Sequence, residues 1–319
     1  MAPYSIEDLY RDINKIDNYF YETDKGILVV PRNNKTIHKY CHYGNTSGKC
    51  NGYFEMTSSG IIHLLKMLKD NHRLEDDKLS EYAILWLIYK LNVQTINSGM
   101  NLNHFYTKYI ETNKHFNEKI KGEGSLTYKE IIDKKKDLMN INNKEISKFN
   151  IPFYIVFYLF DTVYDKYVDC TRKSGYARLF ASEFEKLNKD SNNIEESLYN
   201  KMISTLSDDY NKLKNIYHNK KCTSFPPIPK ITPKKPLAQS PVEISGKVSE
   251  QMLVETPKVT SSSSSISTTL IPALSVFSII PVFLGIAYKY SLFGVDKLFQ
   301  RQYLRKKLKK ITKKMKLNI

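Results

Sequence analysis

The sequence predicts an all-α protein in four parts: a multi-helix N-terminal domain, a disordered Pro/Ser-rich stalk, a single transmembrane helix and a basic amphipathic C-terminal tail. Three observations predict it. Apolar residues recur at helical three- and four-residue steps through residues 1–222. Seven of the twelve prolines fall between Thr223 and Ser265. No charged residue stands between Lys258 and Lys289.

The helices can be taken in order. Ser5 with Asp8 forms a capping pair ahead of Ile6, Leu9, Ile13, Ile16 and Phe20. Ile61, Ile62, Leu64, Leu65 and Leu68 mark a second helix, and Leu79 to Leu91 a third whose apolar run places Trp86 in the core. Leu102, Phe105, Tyr106, Tyr109 and Ile110 read as a fourth, and Thr127 with Glu130 caps a fifth. Pro152 suits the first turn of a sixth, PFYIVFYLFDTVYDKYV, whose charges begin at Asp161, too soon for a membrane span. Ile194, Leu198, Met202, Leu206, Tyr210, Leu213 and Tyr217 draw a last long stripe. Only Gly26 to Val30, GILVV, departs from the helical period.

Beyond Cys222 the pattern stops. Residues 223–265 are rich in proline and end in the run Ser261 to Ser265, a composition that buries too little surface to fold and makes an extended linker. Residues 266–288, ISTTLIPALSVFSIIPVFLGIAY, would span about 34 Å as a helix against a hydrocarbon core of about 30 Å. Pro272 and Pro281 are tolerated better there than in a soluble helix.

Charge is unevenly spread. Residues 1–222 carry 33 Lys and Arg against 29 Asp and Glu, whereas residues 289–319 carry 11 against 1. Nucleic-acid binding is disfavoured, because a protein gripping phosphates spreads its cations over the folded body. Lys289, Lys297, Arg301, Arg305, Lys306, Lys307, Lys309 and Lys310 instead flank the span and place the tail on the cytoplasmic side, with the N-terminal domain outside. Leu304, Leu308, Ile311 and Met315 line one helical face, which suits contact with anionic lipid or a cytoskeletal partner. MAPYSIEDLYRDINKIDNYF has no apolar run of a secretory signal, so the internal span would have to direct translocation.

Cys41, Cys50, Cys170 and Cys222 all precede the span, and an even number on one side of a membrane fits two disulfides. Three connectivities are open. Cys41 with Cys50 and Cys170 with Cys222 is favoured, closing a small loop and clipping the last helical hairpin. Free buried thiols are the second choice, and zinc on His38, Cys41, His42 and Cys50, whose spacing matches no common module, is the last. Enzyme signals are weak: there is no HExxH pair, and GEGS at Gly122 to Ser125 lacks the GK[ST] of a phosphate loop. No cofactor is expected. Asn34 and Asn45 begin N-x-[ST] triplets in the Gly26 to Gly52 loop region.

Four stretches carry a resemblance: YAILWLIYKLN (Tyr82 to Asn92), FYLFDTVYDKY (Phe157 to Tyr167), CTSFPPIP (Cys222 to Pro229) and FLGIAYKYSLFGVDKLFQRQYLRKKLKKITKKM (Phe283 to Met315). Together they resemble the Plasmodium interspersed repeat (PIR) proteins, the yir, bir, cir and vir groups of malaria parasites, over essentially the whole chain, with the rodent-parasite groups most similar. The resemblance implies a multigene variant antigen, exported into the infected red cell or displayed near its surface, that contacts host proteins or immune receptors and aids immune evasion. Loops such as Gly26 to Gly52 and Asn117 to Ser125 are where variation would be tolerated. The alternative is an intracellular protein of the parasite or its vacuolar membrane, acting in export or membrane organisation through the basic tail.

Overall fold

The computed structural model describes residues 5–22, 28–30, 34–43, 46–93, 100–165 and 167–236. The expected span at 266–288, the tail at 289–319 with Lys289, Lys297, Arg301, Arg305, Lys306, Lys307, Lys309 and Lys310, and the linker beyond Pro236 lie outside the described residues. Among the described residues, no helix is long and apolar enough to cross a membrane.

Among the described residues ten α-helices run in chain order: α1 (Ile6–Asp17), α2 (Lys35–His38), α3 (Tyr53–His72), α4 (Asp76–Val93), α5 (Leu102–Phe105), α6 (Tyr128–Asp133), α7 (Asn143–Ile146), α8 (Asn150–Asp161), α9 (Cys170–Asn188) and α10 (Leu198–Asn219). The caps read from the sequence are present. The Ser5 side chain accepts from the Asp8 amide, and Thr127 and Glu130 form a reciprocal capping box at α6. Two-residue hairpins add β1 (Tyr21–Glu22) with β2 (Leu28–Val29), inside the GILVV stretch, and β3 (His42–Tyr43) with β4 (Thr46–Ser47).

The core is built around α8. Every residue from Pro152 to Phe160 is buried, so this helix has no solvent face and is enclosed by α1, α4, α9 and α10. Aromatic rings make those contacts: Tyr10 stacks on Phe160 at 4.4 Å, Tyr89 on Tyr154 at 5.9 Å, and Tyr176 meets Tyr158 edge-on at 4.9 Å. Helices α3 and α4 form a hairpin in which Gly60 lies against the fully buried Trp86.

Polar groups enter this core in clusters. Lys90 is buried, its ammonium 2.5 Å from Asp17 and 4.0 Å above the Phe20 ring, with Trp86 and Tyr89 beside it. Glu81 takes Lys135 at 3.1 Å, Lys78 at 2.8 Å and the Thr205 hydroxyl, tying α4 to α10. Asp209 of α10 accepts from the hydroxyls of Tyr10 (2.8 Å) and Tyr82 (2.9 Å), so one carboxyl joins three helices. Burial raises its pKa from 3.8 to about 6, against the opposing pull of those two donors.

Several elements differ from the sequence reading. The fourth helix is a short α5 followed by a single π-helical turn, Tyr106–Ile110. The sixth stops at Asp161 rather than Val168, leaving Tyr164 and Tyr167 exposed in the loop that follows. Helix α9 has no counterpart in that reading, because its buried face mixes Phe180, Phe184 and Leu187 with Lys173, Ser174 and Ala177 and so dilutes the apolar period. Ile194 lies outside the last stripe, in the α9–α10 connection, bridged to Lys234.

The largest difference concerns the domain end. Residues 223–235 are not free chain but a strap laid back along α9 and α10. Phe225 is buried and stacks on Tyr217 at 4.9 Å, and the Tyr210 hydroxyl donates to the Pro226 carbonyl. Farther along, Asn188 donates to the Lys230 carbonyl and accepts from the Thr232 amide, and Lys234 exchanges backbone bonds with Asn193 and Glu195. Composition alone misses this because a strap without internal hydrogen bonds can satisfy its backbone on preformed helices.

Two stability measurements follow. A methyl group at Gly60 would stand 2.9 Å from Trp86 Cη2. Gly60→Ala should therefore lower the urea midpoint, by about 1 to 3 kcal/mol of overpacking that outweighs the gain of up to about 1 kcal/mol in helix propensity. For Asp209 the raised pKa means that the folded state favours the neutral acid. Its stabilisation is complete below pH 3.8 and is lost as the pH rises through about 6. Wild type minus Asp209→Asn, measured by denaturant unfolding from acid to neutral pH, should show a loss of about 3 kcal/mol across that window.

Candidate functional site

The structure brings together both pairs of cysteines favoured in the sequence. Cys41 is bonded to Cys50, with Cα atoms 5.2 Å apart, and Cys170 to Cys222, at 5.1 Å. The first bond closes a small loop over the start of α3. The second joins the first residue of α9 to the chain just past α10. With both sulfurs of the first pair bonded, the zinc alternative loses two of its four ligands. Among the described residues no cluster of His, Cys, Asp or Glu is arranged for a metal ion.

The Cys41–Cys50 loop is held from several directions. His38 Nδ1 accepts from the Cys50 amide at 3.0 Å, and the Ser59 hydroxyl of α3 donates to the Ile37 carbonyl. Asn113 donates to the Tyr40 carbonyl at 2.8 Å, and Tyr43 donates to the Tyr109 carbonyl at 3.0 Å. Tyr40 also packs on the rings of His63 (4.6 Å) and His115 (5.4 Å). Burial pushes the His63 imidazole down to about 4, so it is neutral at physiological pH. The side chain of Asn34 is spent as the cap of α2, accepting from the Ile37 amide, while Asn45 lies outside the described residues.

The second loop singled out in the sequence, Asn117 to Ser125, is a tight excursion that returns through the bridge of Lys119 with Thr127. Gly122 and Gly124 adopt φ of +98° and +84°, which the turn requires and which side chains resist. The Ser125 hydroxyl donates to the Gly122 carbonyl and accepts from the Lys121 amide. GEGS is thus a self-closed turn, and Lys121, Gly122, Glu123 and Gly124 are exposed at its tip. Among the described residues, neither loop presents a nucleophile with a base, nor converging catalytic groups. The arrangement is one of an exposed tip at Lys121 to Gly124 and a braced Cys41–Cys50 loop on a helical scaffold.

A family model described as Plasmodium variant antigen protein Cir/Yir/Bir matches residues 10–289. The chain belongs to this family. The match runs from α1 through the strap and the apolar 266–288 stretch to Lys289, so it covers the helical domain and the segment read as a span together. No curated protein and no solved structure is matched. Sequence reasoning missed the strap and the exposed pair Tyr164 and Tyr167. The one available signal was the first charge after the apolar run, Asp161, which marks the end of an all-apolar helix.

The two bonds should differ in weight. Replacing Cys170 and Cys222 by Ser opens a separation of 52 residues, and replacing Cys41 and Cys50 opens one of 9. Chain-entropy reasoning gives losses of about 4 and about 2.5 kcal/mol, to be read from urea unfolding of the two double variants without reductant.

Proposed function

We propose that this member of the variant antigen family is a non-enzymatic surface antigen of the infected red cell. It is held by one membrane span at 266–288, with residues 1–222 and their strap outside and the basic tail in the cytoplasm. The observation that carries the reading is the family match over residues 10–289, joined to a scaffold whose exposed loops can change without disturbing α8. The domain contacts host proteins or immune receptors, and variation in the Gly26 to Gly52 and Asn117 to Ser125 loops aids immune evasion.

The cystine bridges support placement of the domain in an oxidising space. The rival reading, a parasite or vacuolar membrane protein working through its tail, expects those thiols to be reduced in a cytosol. In either case the tail cations, Lys289 through Lys310 among them, serve as membrane flank and as a surface for anionic lipid or a cytoskeletal partner.

The test is protease and thiol-reagent access on infected cells carrying tags at both ends, before and after selective permeabilisation. Cleavage of the domain in intact cells, with cysteines that react only after reduction, is the expected outcome. A domain protected until internal membranes open, with freely reacting thiols, would overturn the surface assignment in favour of the rival.

A further inference from the structure

Four of the seven histidines gather at the Cys41–Cys50 loop. His38 closes α2, His42 lies inside the loop, His63 comes from α3 and His115 from the segment ahead of α6. Tyr40 is the hub, its ring 4.6 Å from that of His63 and 5.4 Å from that of His115, while His42 meets His115 edge-on at 6.0 Å. The surface-antigen reading gives this cluster no task.

Two of the imidazoles hold the loop down, and both do so as neutral rings. His38 Nδ1 accepts from the Cys50 amide at 3.0 Å, which clamps the end of the loop back onto α2. An imidazolium has no acceptor, so a proton on Nδ1 removes that bond and sets two N–H groups against each other. The His63 ring donates to the Thr36 carbonyl and so ties α3 to α2. Its Nε2, like Nε2 of His38 and Nδ1 of His42, is buried without a hydrogen-bond partner. A proton added to His63 Nε2 therefore meets no acceptor.

The surrounding charges oppose that proton. Lys39 and Lys66 both act on His63, and Lys39 lies 5.0 Å over the Tyr40 ring. The carboxylates of this region are committed elsewhere: Glu118 to His115 at 2.6 Å, Asp70 to Lys66 at 2.9 Å and Glu55 to the Asn51 amide at 2.7 Å. From the α6 side the titratable group is Tyr128, whose phenol is kept neutral by burial.

We propose that α2 and the Cys41–Cys50 loop form an acid-released latch, in which protonation of His38 and His63 frees this segment from α3 while the helices around α8 stay folded. The Cys41–Cys50 bond is untouched by protons, so the bracing is lost and the loop itself is kept. Burial, with the two lysines, lowers the His63 pKa from 6.5 to about 4. The closed latch thus favours the neutral ring: its hold is complete above pH 6.5 and is lost as the pH falls to about 4. Asp209 runs the other way, because its favoured neutral acid gains as the pH falls from about 6 to 3.8. Acid loosens the latch and tightens the junction of α1, α4 and α10 in the same window. The inference goes beyond the surface-antigen reading and concerns the domain in whichever compartment holds it.

The experiment is hydrogen exchange of the full chain in detergent from about pH 7 to about pH 4, with each amide corrected for its intrinsic rate. Protection of the Lys39 and Cys50 amides, which bond to Lys35 and His38, should fall about tenfold per pH unit below 6.5, while the amides of α8 keep theirs. His38→Asn with His63→Asn retains an acceptor for Cys50 and a donor for Thr36 but cannot titrate, so it should hold the latch closed across the range. Loop protection in the wild type that does not change with pH, or that falls together with that of α8, would overturn the proposal, as would an equal fall in the double variant. The first two outcomes need no variant, so misfolding of the variant cannot shelter the idea. Purified chain is used throughout, which separates this test from that of the surface assignment.

Discussion

A helix that is apolar on every side has to be surrounded, and most of this domain is arranged to surround α8. Its buried run from Pro152 to Phe160 leaves no face for water, so α1, α4, α9 and α10 must each bring an apolar stripe to it. The aromatic content follows from that demand. Rings such as Tyr10, Tyr89 and Tyr176 cover more of the helix per residue than aliphatic side chains would. The buried Asp209 fits the same logic, accepting the hydroxyls of Tyr10 and Tyr82 at the junction of α1, α4 and α10.

Because α8 fixes the helices from inside, the exposed tip at Lys121 to Gly124 is left with little structural duty, whereas the Gly26 to Gly52 region also buries Val30, Ile37, Tyr40 and both of its cysteines. The Asn117 to Ser125 turn closes on its own glycines and serine, and the Cys41–Cys50 loop is braced by a covalent bond and by side chains from α3 and the 106–113 segment. A scaffold of this kind separates stability from surface identity. That separation is what a variant antigen family requires: sequence can drift at the tips while the contacts around α8 stay intact.

The strap and the second cystine bridge act on a different scale. Cys222 ends the helical domain covalently, yet the next residues return along α9 and α10 to Lys234 before the chain departs. The last described residues are therefore held by Phe225, Asn188 and Asn193 rather than left free past the end of α10.

The sequence by itself determined the all-α class, most helices, both caps at Ser5 and Thr127, and the burial of Trp86, because these rest on local periodicity and on hydrogen bonds within one turn. It also carried the family, through motifs that stand as unbroken stretches. It named the four cysteines but left their partners among three choices, since pairing depends on which helix ends meet. Only the tertiary structure decided that α8 lies at the centre, that α9 exists with Lys173 and Ser174 on its buried face, and that residues 223–235 are bound. Each of these depends on what a segment meets across space. A proline-rich strand with no bonds of its own is ordered by Asn188 and Tyr217, residues that its composition cannot announce.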